Sequence, residues 1–429
     1  MIPTIEKATA AEIKDFQEVK LQELLVYLNG NSPYYKALFA KESIDIHSIK
    51  TLEDLQKIPT TTKTDLQENN DDFFCVPMHK IIDYATTSGT LGDPVTFGLT
   101  DKDLDRLAYN EAISFTCAGI KEGDVVQLMT TLDRRFMAGL AYFLGLRKLG
   151  AGVIRVGAGI PELQWDSILK YKPKYLVTVP SFLLKLIEYA ENNKINYNTS
   201  SIEGVICIGE ALRNQDFSPS LLARKITDKW KINLFSTYAS TEMSTAFTEC
   251  EFFHGGHQHP ELIITEVLDE NNQPVKEGES GELTITTLGV EAMPLLRFKT
   301  GDIVKLHSET CDCGRNTVRV GPVVGRKQHM IKYKGTTLYP PAMHDLLTYF
   351  EGIQSHVIEI STNDLGTDEI LIKIAVKNNS KELLDQIKDH FRAKLRVTPK
   401  VELVTLDELN KIIFTPMSRK PIIFVDKRA

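Results

Sequence analysis

Residues 125–157 read VVQLMTTLDRRFMAGLAYFLGLRKLGAGVIRVG. VVQLM (125–129) is a short, mostly apolar run with the length of a buried strand. MAGLAYFLGLRKLG (137–150) places its apolar residues at helical spacing and closes on Gly150, a common helix stop. GVIRVG (152–157) is a second strand. A strand, a helix and a strand in succession predict two parallel strands joined by a crossover. The pattern continues downstream with YLVTVP (175–180), GVICIG (204–209) and NLFSTYA (233–239). The central part of the chain therefore reads as an α/β domain around a largely parallel sheet.

On either side the texture changes. Residues 1–80 read as interrupted helices. After about 260 the chain becomes strand-rich: ELIITEVLD (261–269), a turn at NNQPVKEGESG (271–281) and ELTITTL (282–288) predict an antiparallel, β-rich subdomain. From about 327 a smaller α+β unit is expected, with strands at SHVIEIS (355–361), EILIKIAV (369–376) and KVELVTL (400–406) and a helix over KELLDQIKDHFRAKL (381–395). The expected division is a large domain over 1–326 and a small domain over 327–429.

The 429 residues are too many for one compact core. A net charge of −7, with no long run of one sign, argues against nucleic acid as the main partner. No 18-residue apolar stretch predicts a membrane span. The opening MIPTIEKATAAEIKDFQ lacks the apolar segment of a signal peptide. Six cysteines in such a length do not make a disulfide framework, so a reducing cytoplasm is the expected location.

Three segments carry candidate chemistry. TTSGTLGDP (86–94) gathers the hydroxyls of Ser88 and Thr90 with Gly89 and Gly92, whose backbone can approach an anion closely. It lacks the Gly-Lys-Ser/Thr ending of a P-loop. STYASTE (236–242) follows a predicted strand, where α/β proteins build their sites. PLLRFKTGD (294–302) ends on Asp302, a potential acceptor for ribose hydroxyls. Taken singly, the first is a surface turn, Glu242 a solvated carboxylate and the last a turn.

In this order and at these separations the three segments resemble the adenylate-forming superfamily of acyl-CoA synthetases, peptide-synthetase adenylation domains and luciferases. SPYY (32–35), KIPTTTKTDL (57–66), LRKLGAGVI (146–154), VPSFLLKLIEYAE (179–191) and MPLLRFKTGD (293–302) are similar to phenylacetate-CoA ligases in particular. The resemblance implies ATP-dependent activation of a small carboxylic acid, aryl-acetate-like or related, as an acyl adenylate. Transfer to coenzyme A follows, with magnesium assisting. It assigns Ser88, Gly89, Thr90 and Gly92 to the phosphates, and Gly209 and Glu210 to the adenine and acyl-pocket wall. Tyr238, Ala239 and Ser240 fall to the adenine and pocket floor, Thr241 to the α-phosphate and Glu242 to the magnesium ion. Asp302 falls to the ribose, Arg326 to the position before a hinge and Lys420 to the late catalytic lysine. Phe136, Tyr142 and Ala211 are candidate pocket residues.

Two departures stand out. Asp93 occupies a position where the family usually carries lysine, and the hinge reads GRKQHM, with Gln328 and His329 in place of acidic residues. Lys63 or Lys102 is a candidate substitute cation. Two alternatives remain: transfer to a carrier-protein or protein thiol, and a non-catalytic nucleotide-binding relative. Retention of Glu242, Asp302, Arg326 and Lys420 argues against the second. Relatives are often dimers, so a homodimer is compatible with the resemblance.

Cys311 and Cys313 are spaced like half of a metal knuckle, and Cys250, His254, His257 and His259 lie on another loop. One Cys and one His from that loop would complete a four-ligand zinc set. The resemblance to relatives with a Cys…His…Cys-x-Cys arrangement selects Cys250, His257, Cys311 and Cys313, for a structural zinc. Cys75, Cys117 and Cys207 sit among apolar residues and read as core.

Overall fold

A computed structural model describes residues 2–87, 95–333, 336–363, 368–377, 381–414 and 421–428. The chain divides into two compact units. The first is Met1–Thr300 with Val304–Pro322; the second is Gly301–Ile303 with Val323–Ala429. No helix among the described residues is long and apolar enough to cross a membrane.

The first unit opens with helices α1 (Ala10–Asn31), α2 (Pro33–Lys41) and α3 (Lys63–Glu68), followed by the hairpin β1 (Asp83–Thr86) and β2 (Thr96–Leu99). Alternation then sets in: α4 (Asp101–Cys117), β3 (Val125–Leu128), α5 (Met137–Leu149), β4 (Gly152–Arg155), α6 (Pro161–Tyr171), β5 (Tyr175–Thr178), α7 (Pro180–Asn192), β6 (Gly204–Ile208), α8 (Leu221–Thr227) and β7 (Asn233–Ser240). The strands β8 (Thr245–Glu249), β9 (Gly256–His257), β10 (Ile263–Leu268), β11 (Gly281–Thr287), β12 (Phe298–Val304), β13 (Leu306–His307) and β14 (Arg319–Val320) complete the series. The main sheet has nine strands in the order β4–β3–β5–β6–β7–β8–β9–β14–β13. Pairing from β4 to β7 is parallel and from β7 onward antiparallel. Separately, β10 and β11 pair antiparallel as the predicted β-rich piece.

The inner strands β5 and β6 read as nearly continuous apolar runs because both faces are covered. Side chains alternate across the sheet. Val126, Leu128, Tyr175, Val177 and Ile206 pack with Phe115, Tyr142 and Leu146 of α4 and α5. Leu176, Val205, Cys207 and Leu234 pack with Trp165, Leu183, Leu186 and Ile226 of α6, α7 and α8. The rings of Trp165 and Trp230 stack at 5.5 Å in that second core. Truncating either to Ala should cost about 3–5 kcal/mol. Gly150 ends α5 in the left-handed conformation (φ 82°), where a Cβ is unfavourable.

In the second unit, Asp302 and Ile303 of β12 pair with Arg326 and Gly325 of β15 (Gly325–Arg326). A small hairpin, β16 (Ile331–Tyr333) with β17 (Thr336–Leu338), leads into α9 (Pro340–Leu347). The sheet β20–β19–β18–β21 is built from β18 (Ile353–Thr362), β19 (Asp368–Val376), β20 (Lys400–Leu403) and β21 (Phe424–Asp426). Helices α10 (Lys381–Leu395) and α11 (Leu406–Ile413) cover it. Ile358, Ile360, Ile370 and Ile372 pack with Ile387 and Phe391 of α10. The alternate residues Val357 and Ala375 pack with Leu409 and Ile413 of α11.

Candidate active site

Because β3, β5, β6 and β7 run parallel, their C-terminal ends share one rim of the main sheet. At that rim β7 turns into β8. Ser240 pairs with Thr245, which leaves Thr241–Ser244 as a four-residue turn. Ser244 is in the left-handed region (φ 47°). Two bonds close the turn, from the Met243 N–H to Ser240 Oγ (3.3 Å) and from the Ser244 N–H to the Thr241 carbonyl (3.3 Å). Ala239 is exposed, while Tyr238, Ser240, Thr241 and Glu242 are partly so. The Tyr238 ring stacks on Phe247, centroids 6.0 Å apart. The structure thus places Tyr238, Ala239 and Ser240 at the end of β7 and Thr241 and Glu242 on the accessible turn that follows. The Glu242 carboxylate has no partner among the described residues and is open to a cation.

The sequence reading missed the group that holds this turn. Arg106, on α4, is buried and donates to the carbonyls of Ser244 (2.6 Å), Leu262 (2.6 Å) and Leu288 (2.7 Å), and to Thr245 Oγ1 (3.3 Å). Burial lowers its guanidinium to about 10. Carbonyl dipoles, not a directly bonded carboxylate, satisfy the charge. In sequence Arg106 is one more polar residue of an amphipathic helix, so no local signal marks it.

Gly209 (φ 75°) follows β6 on the same rim. The Glu210 side chain is already engaged. It accepts from the Ser181 N–H (2.8 Å) and Ser181 Oγ (2.7 Å), at the start of α7. A carboxylate there satisfies an orphan amide and complements the helix dipole. Glu210 thereby fixes the segment after Gly209. Phe136 is partly exposed and Ala211 exposed, but Tyr142 is not an open pocket residue: it is 3% exposed and packs against Phe115 in the core.

Ser88, Gly89, Thr90, Gly92 and Asp93 lie outside the described residues, as does Lys420. The base of their loop is described. Thr86 pairs with Thr96, the Thr87 N–H donates to the Val95 carbonyl (3.0 Å), and the Val95 N–H donates to Thr87 Oγ1 (3.1 Å). The antiparallel strands β1 and β2 thus flank the segment 88–94 in sequence. Of the candidate substitute cations, Lys102 is bound to Glu291 (2.8 Å), and Lys63 begins α3.

In the second unit Asp302 and Arg326 are cross-strand partners, with Arg326 Nε 3.4 Å from Asp302 Oδ1. The unusual hinge residues are held within that unit. Arg428 donates to the carbonyls of Gln328 (3.1 Å) and Met330 (2.7 Å). The His329 ring lies 4.7 Å from Phe424, and burial lowers it to about 4.

A second polar cluster lies in the first unit. Ligand atoms of Cys250, His257, Cys311 and Cys313 fall within 4.8 Å of one another. Cys250 Sγ is 3.6 Å from Cys311 Sγ, and Cys313 Sγ is 3.4 Å from His257 Nε2. Metal–sulfur bonds of about 2.3 Å give a tetrahedron with edges of roughly 3.8 Å, so the four residues fit such a centre. His257 Nδ1 is occupied by Thr317 Oγ1 (3.1 Å), which leaves Nε2 facing the thiols. A hydrogen bond from Cys250, with His257 and Arg315 adding to it, holds the Cys313 thiol low despite burial. The other two histidines are used elsewhere. The His254 ring lies against Phe217. His259 bridges Glu6 Oε1 (2.5 Å) and Ser114 Oγ (3.0 Å). Glu6 also accepts from Arg315 Nε (2.7 Å), which in turn donates to Cys313 (3.5 Å). Cys75, Cys117 and Cys207 are buried and free.

The AMP-binding enzyme family matches residues 28–292, which span the β1–β2 hairpin, the rim and the Thr241–Ser244 turn. The chain belongs to that family. It is 29% identical over 379 residues to the phenylacetate-coenzyme A ligase of Thermus thermophilus, covering 87% of this chain and 84% of that enzyme. The Escherichia coli phenylacetate-coenzyme A ligase is 29% identical over 390 residues, with 88% and 85% covered. Among solved structures, 2-hydroxyisobutyryl-CoA ligase in its postadenylation state has a TM-score of 0.85 at 24% identity, covering 99% of this chain and 92% of that one. That likeness shows the adenylate-forming ligase fold.

Proposed function

We propose that the chain is an ATP-dependent acid–thiol ligase that adenylates a small carboxylic acid and passes the acyl group to coenzyme A. The observation that carries this reading is the similarity to phenylacetate-coenzyme A ligases, which runs over 87% of the chain and so takes in both units. In the first step a carboxylate oxygen attacks the α-phosphorus of ATP and pyrophosphate leaves, giving an acyl adenylate. In the second, the thiol of coenzyme A attacks the acyl carbon, AMP leaves and the thiol proton passes to solvent.

The first step brings an anion to a polyanion. Two unit charges about 4 Å apart interact by roughly 4 kcal/mol at an effective dielectric near 20, so cations and fixed donors must oppose the repulsion. Ser88, Gly89, Thr90, Gly92 and Thr241 would donate to phosphate oxygens, and Lys420 would bring positive charge to the first step. Tyr238, Ala239, Ser240 and Gly209 would border the adenine, with Glu210 holding the segment after Gly209. Asp302 would accept from the ribose hydroxyls, oriented by Arg326. The unpartnered carboxylate of Glu242 suits magnesium, which when bound neutralises phosphate charge. Arg106 keeps the turn that carries Thr241 and Glu242 in place.

Cys250, His257, Cys311 and Cys313 suit a structural zinc ion, since four protein ligands leave no open position for substrate. Thr317 orients the imidazole in the manner of outer-shell partners at such centres. The similarity to phenylacetate-coenzyme A ligases supports an acid that is aryl-acetate-like or related.

The test is direct. Protein incubated with ATP, magnesium and a panel of aryl-acetic and short hydroxy acids should release pyrophosphate with at least one acid. Adding coenzyme A should yield the acyl thioester and AMP. Pyrophosphate release without thioester from coenzyme A would favour a carrier-protein thiol, and no release with any acid would contradict the reading.

A further inference from the structure

The loop after β3 carries two adjacent arginines, Arg134 and Arg135, outside the three motif segments. Strand order marks the place. From β3 the chain leaves toward the edge strand β4, and from β5 it leaves the opposite way toward β6. The crevice at the C-terminal ends of such a pair is where open α/β sheets bind ligands. Arg134 and Arg135 stand at that switch point, on the rim that also bears Gly209 and Thr241.

The loop is held rather than loose. Thr131 donates to the Asp133 carboxylate, and the Phe136 N–H donates to the Asp133 carbonyl (3.2 Å). Gly139 brings α5 so close that a Cβ there would meet the Thr131 carbonyl oxygen at 2.0 Å. Within this frame Arg134 (φ 58°) and Arg135 (φ 57°) both adopt the left-handed conformation, and both are exposed. Two consecutive non-glycine residues held there store strain that their surroundings must impose. Arg135 has no hydrogen-bond or ion-pair partner for its side chain among the described residues. Its carbonyl accepts from the Thr86 N–H (3.1 Å), at the end of β1, two residues before the segment 88–94. Arg135 is therefore tied to the end of β1, the strand that precedes the phosphate-type sequence in the chain.

We propose that Arg134 and Arg135 bind the phosphates of the nucleotide substrate, supplying positive charge next to the end of β1, where the sequence that follows carries the acidic Asp93 in place of a lysine. The inference rests on the ligase reading above. Guanidinium groups match phosphate oxygens in charge and geometry. ATP and coenzyme A both offer phosphates. The anchor at Thr86 favours ATP, and the experiment separates the two.

Titration calorimetry of the whole protein with ATP, adenosine and coenzyme A, each at low and high salt, tests it. Arg134→Ala/Arg135→Ala should weaken ATP about tenfold or more at low salt, leave adenosine unchanged and leave coenzyme A within twofold. Arg135→Lys alone should retain most of the ATP affinity, which guards against a folding defect in the double variant. Unchanged ATP affinity in the double variant would overturn the proposal. Weakened coenzyme A with unchanged ATP would overturn it in favour of the thiol substrate's phosphates. A wild-type protein that binds no ATP would overturn this proposal and the ligase reading together, whereas wild-type ATP binding with an unaffected double variant would overturn this proposal alone.

Discussion

Two polar clusters on the first unit contrast in how their groups are satisfied. At the rim, Glu242 is partly exposed and has no partner among the described residues, and Arg135 is exposed without one. Around the cysteines, His257 and His259 are fully buried, and each imidazole is engaged on both nitrogens. Buried polar groups must be paired within the protein or they cost stability. Exposed ones can wait for a ligand. The rim has the character of a site where substrates complete the contacts, and the cysteine cluster that of a fastening. Substitutions at the first should cost rate with little stability, and substitutions at the second should do the reverse.

The largest effect is expected at the reactive groups. Lys420→Ala should slow adenylation by about a thousandfold, which is roughly 4 kcal/mol of transition-state stabilisation. Thioester formation from supplied acyl adenylate should be largely spared, because the lysine acts on the first step. Equal losses in the two half-reactions would remove that assignment. Glu242→Gln should raise the magnesium requirement and leave the melting temperature unchanged, since no internal partner is lost.

Next comes the fastening. Protein purified without a metal-affinity column should contain about one zinc per chain, and Cys311→Ser/Cys313→Ser should contain none. The variant should melt lower by an amount equivalent to about 3 kcal/mol, on the order of 6–12 °C. Full zinc occupancy in the variant, or an unchanged melting temperature, would break the contrast between the clusters.

Much of this was legible beforehand, for identifiable reasons. The parallel strands announce themselves because burial on both faces demands unbroken apolar runs such as GVICI and YLVT. Helix α10 was legible from its bounds because Lys381–Leu395 carries a single apolar stripe, with Ile387 and Phe391 at helical spacing. The cysteine pair was readable from spacing. The choice among His254, His257 and His259 was not, because it depends on which ring the fold turns toward the thiols. Arg106 was missed for a related reason. A buried arginine bound to carbonyls looks like a surface charge until the chain is folded. Arg134 and Arg135 gave no signal because the strand reversal that distinguishes their loop belongs to topology, not to local pattern.

Glu111 sharpens the contrast from a third position. It is buried on α4 with Asn110 as its hydrogen-bonding neighbour (3.1 Å), and burial pushes its carboxyl up to about 8. Since the folded-state value is raised, the stability linked to its proton is fully present below the ordinary carboxylate range. It is lost as pH rises toward 8. The loss should be about 5 kcal/mol across that window. Glu111→Gln should flatten the dependence, as read from urea denaturation between pH 5 and 8.5. A wild-type profile already flat over that range would show that Glu111 has a partner when folded in solution.

The smallest expected effect is at Asp93. Asp93→Lys reverses one charge in the segment proposed to hold the phosphates, and screening should limit each contact to about 1 kcal/mol or less. The apparent ATP constant should fall by up to roughly tenfold at low ionic strength, and less as salt rises. If Arg134 and Arg135 already supply the charge, the gain should be larger in the double alanine variant than in wild type.

The central claim is that this chain makes an acyl adenylate before any thiol is involved. Isotope exchange between pyrophosphate and ATP measures that step alone. The account predicts exchange that requires a carboxylic acid and magnesium, proceeds without coenzyme A and falls by about a thousandfold in Lys420→Ala. Exchange that needed coenzyme A, or that ran equally well with no acid present, would contradict it.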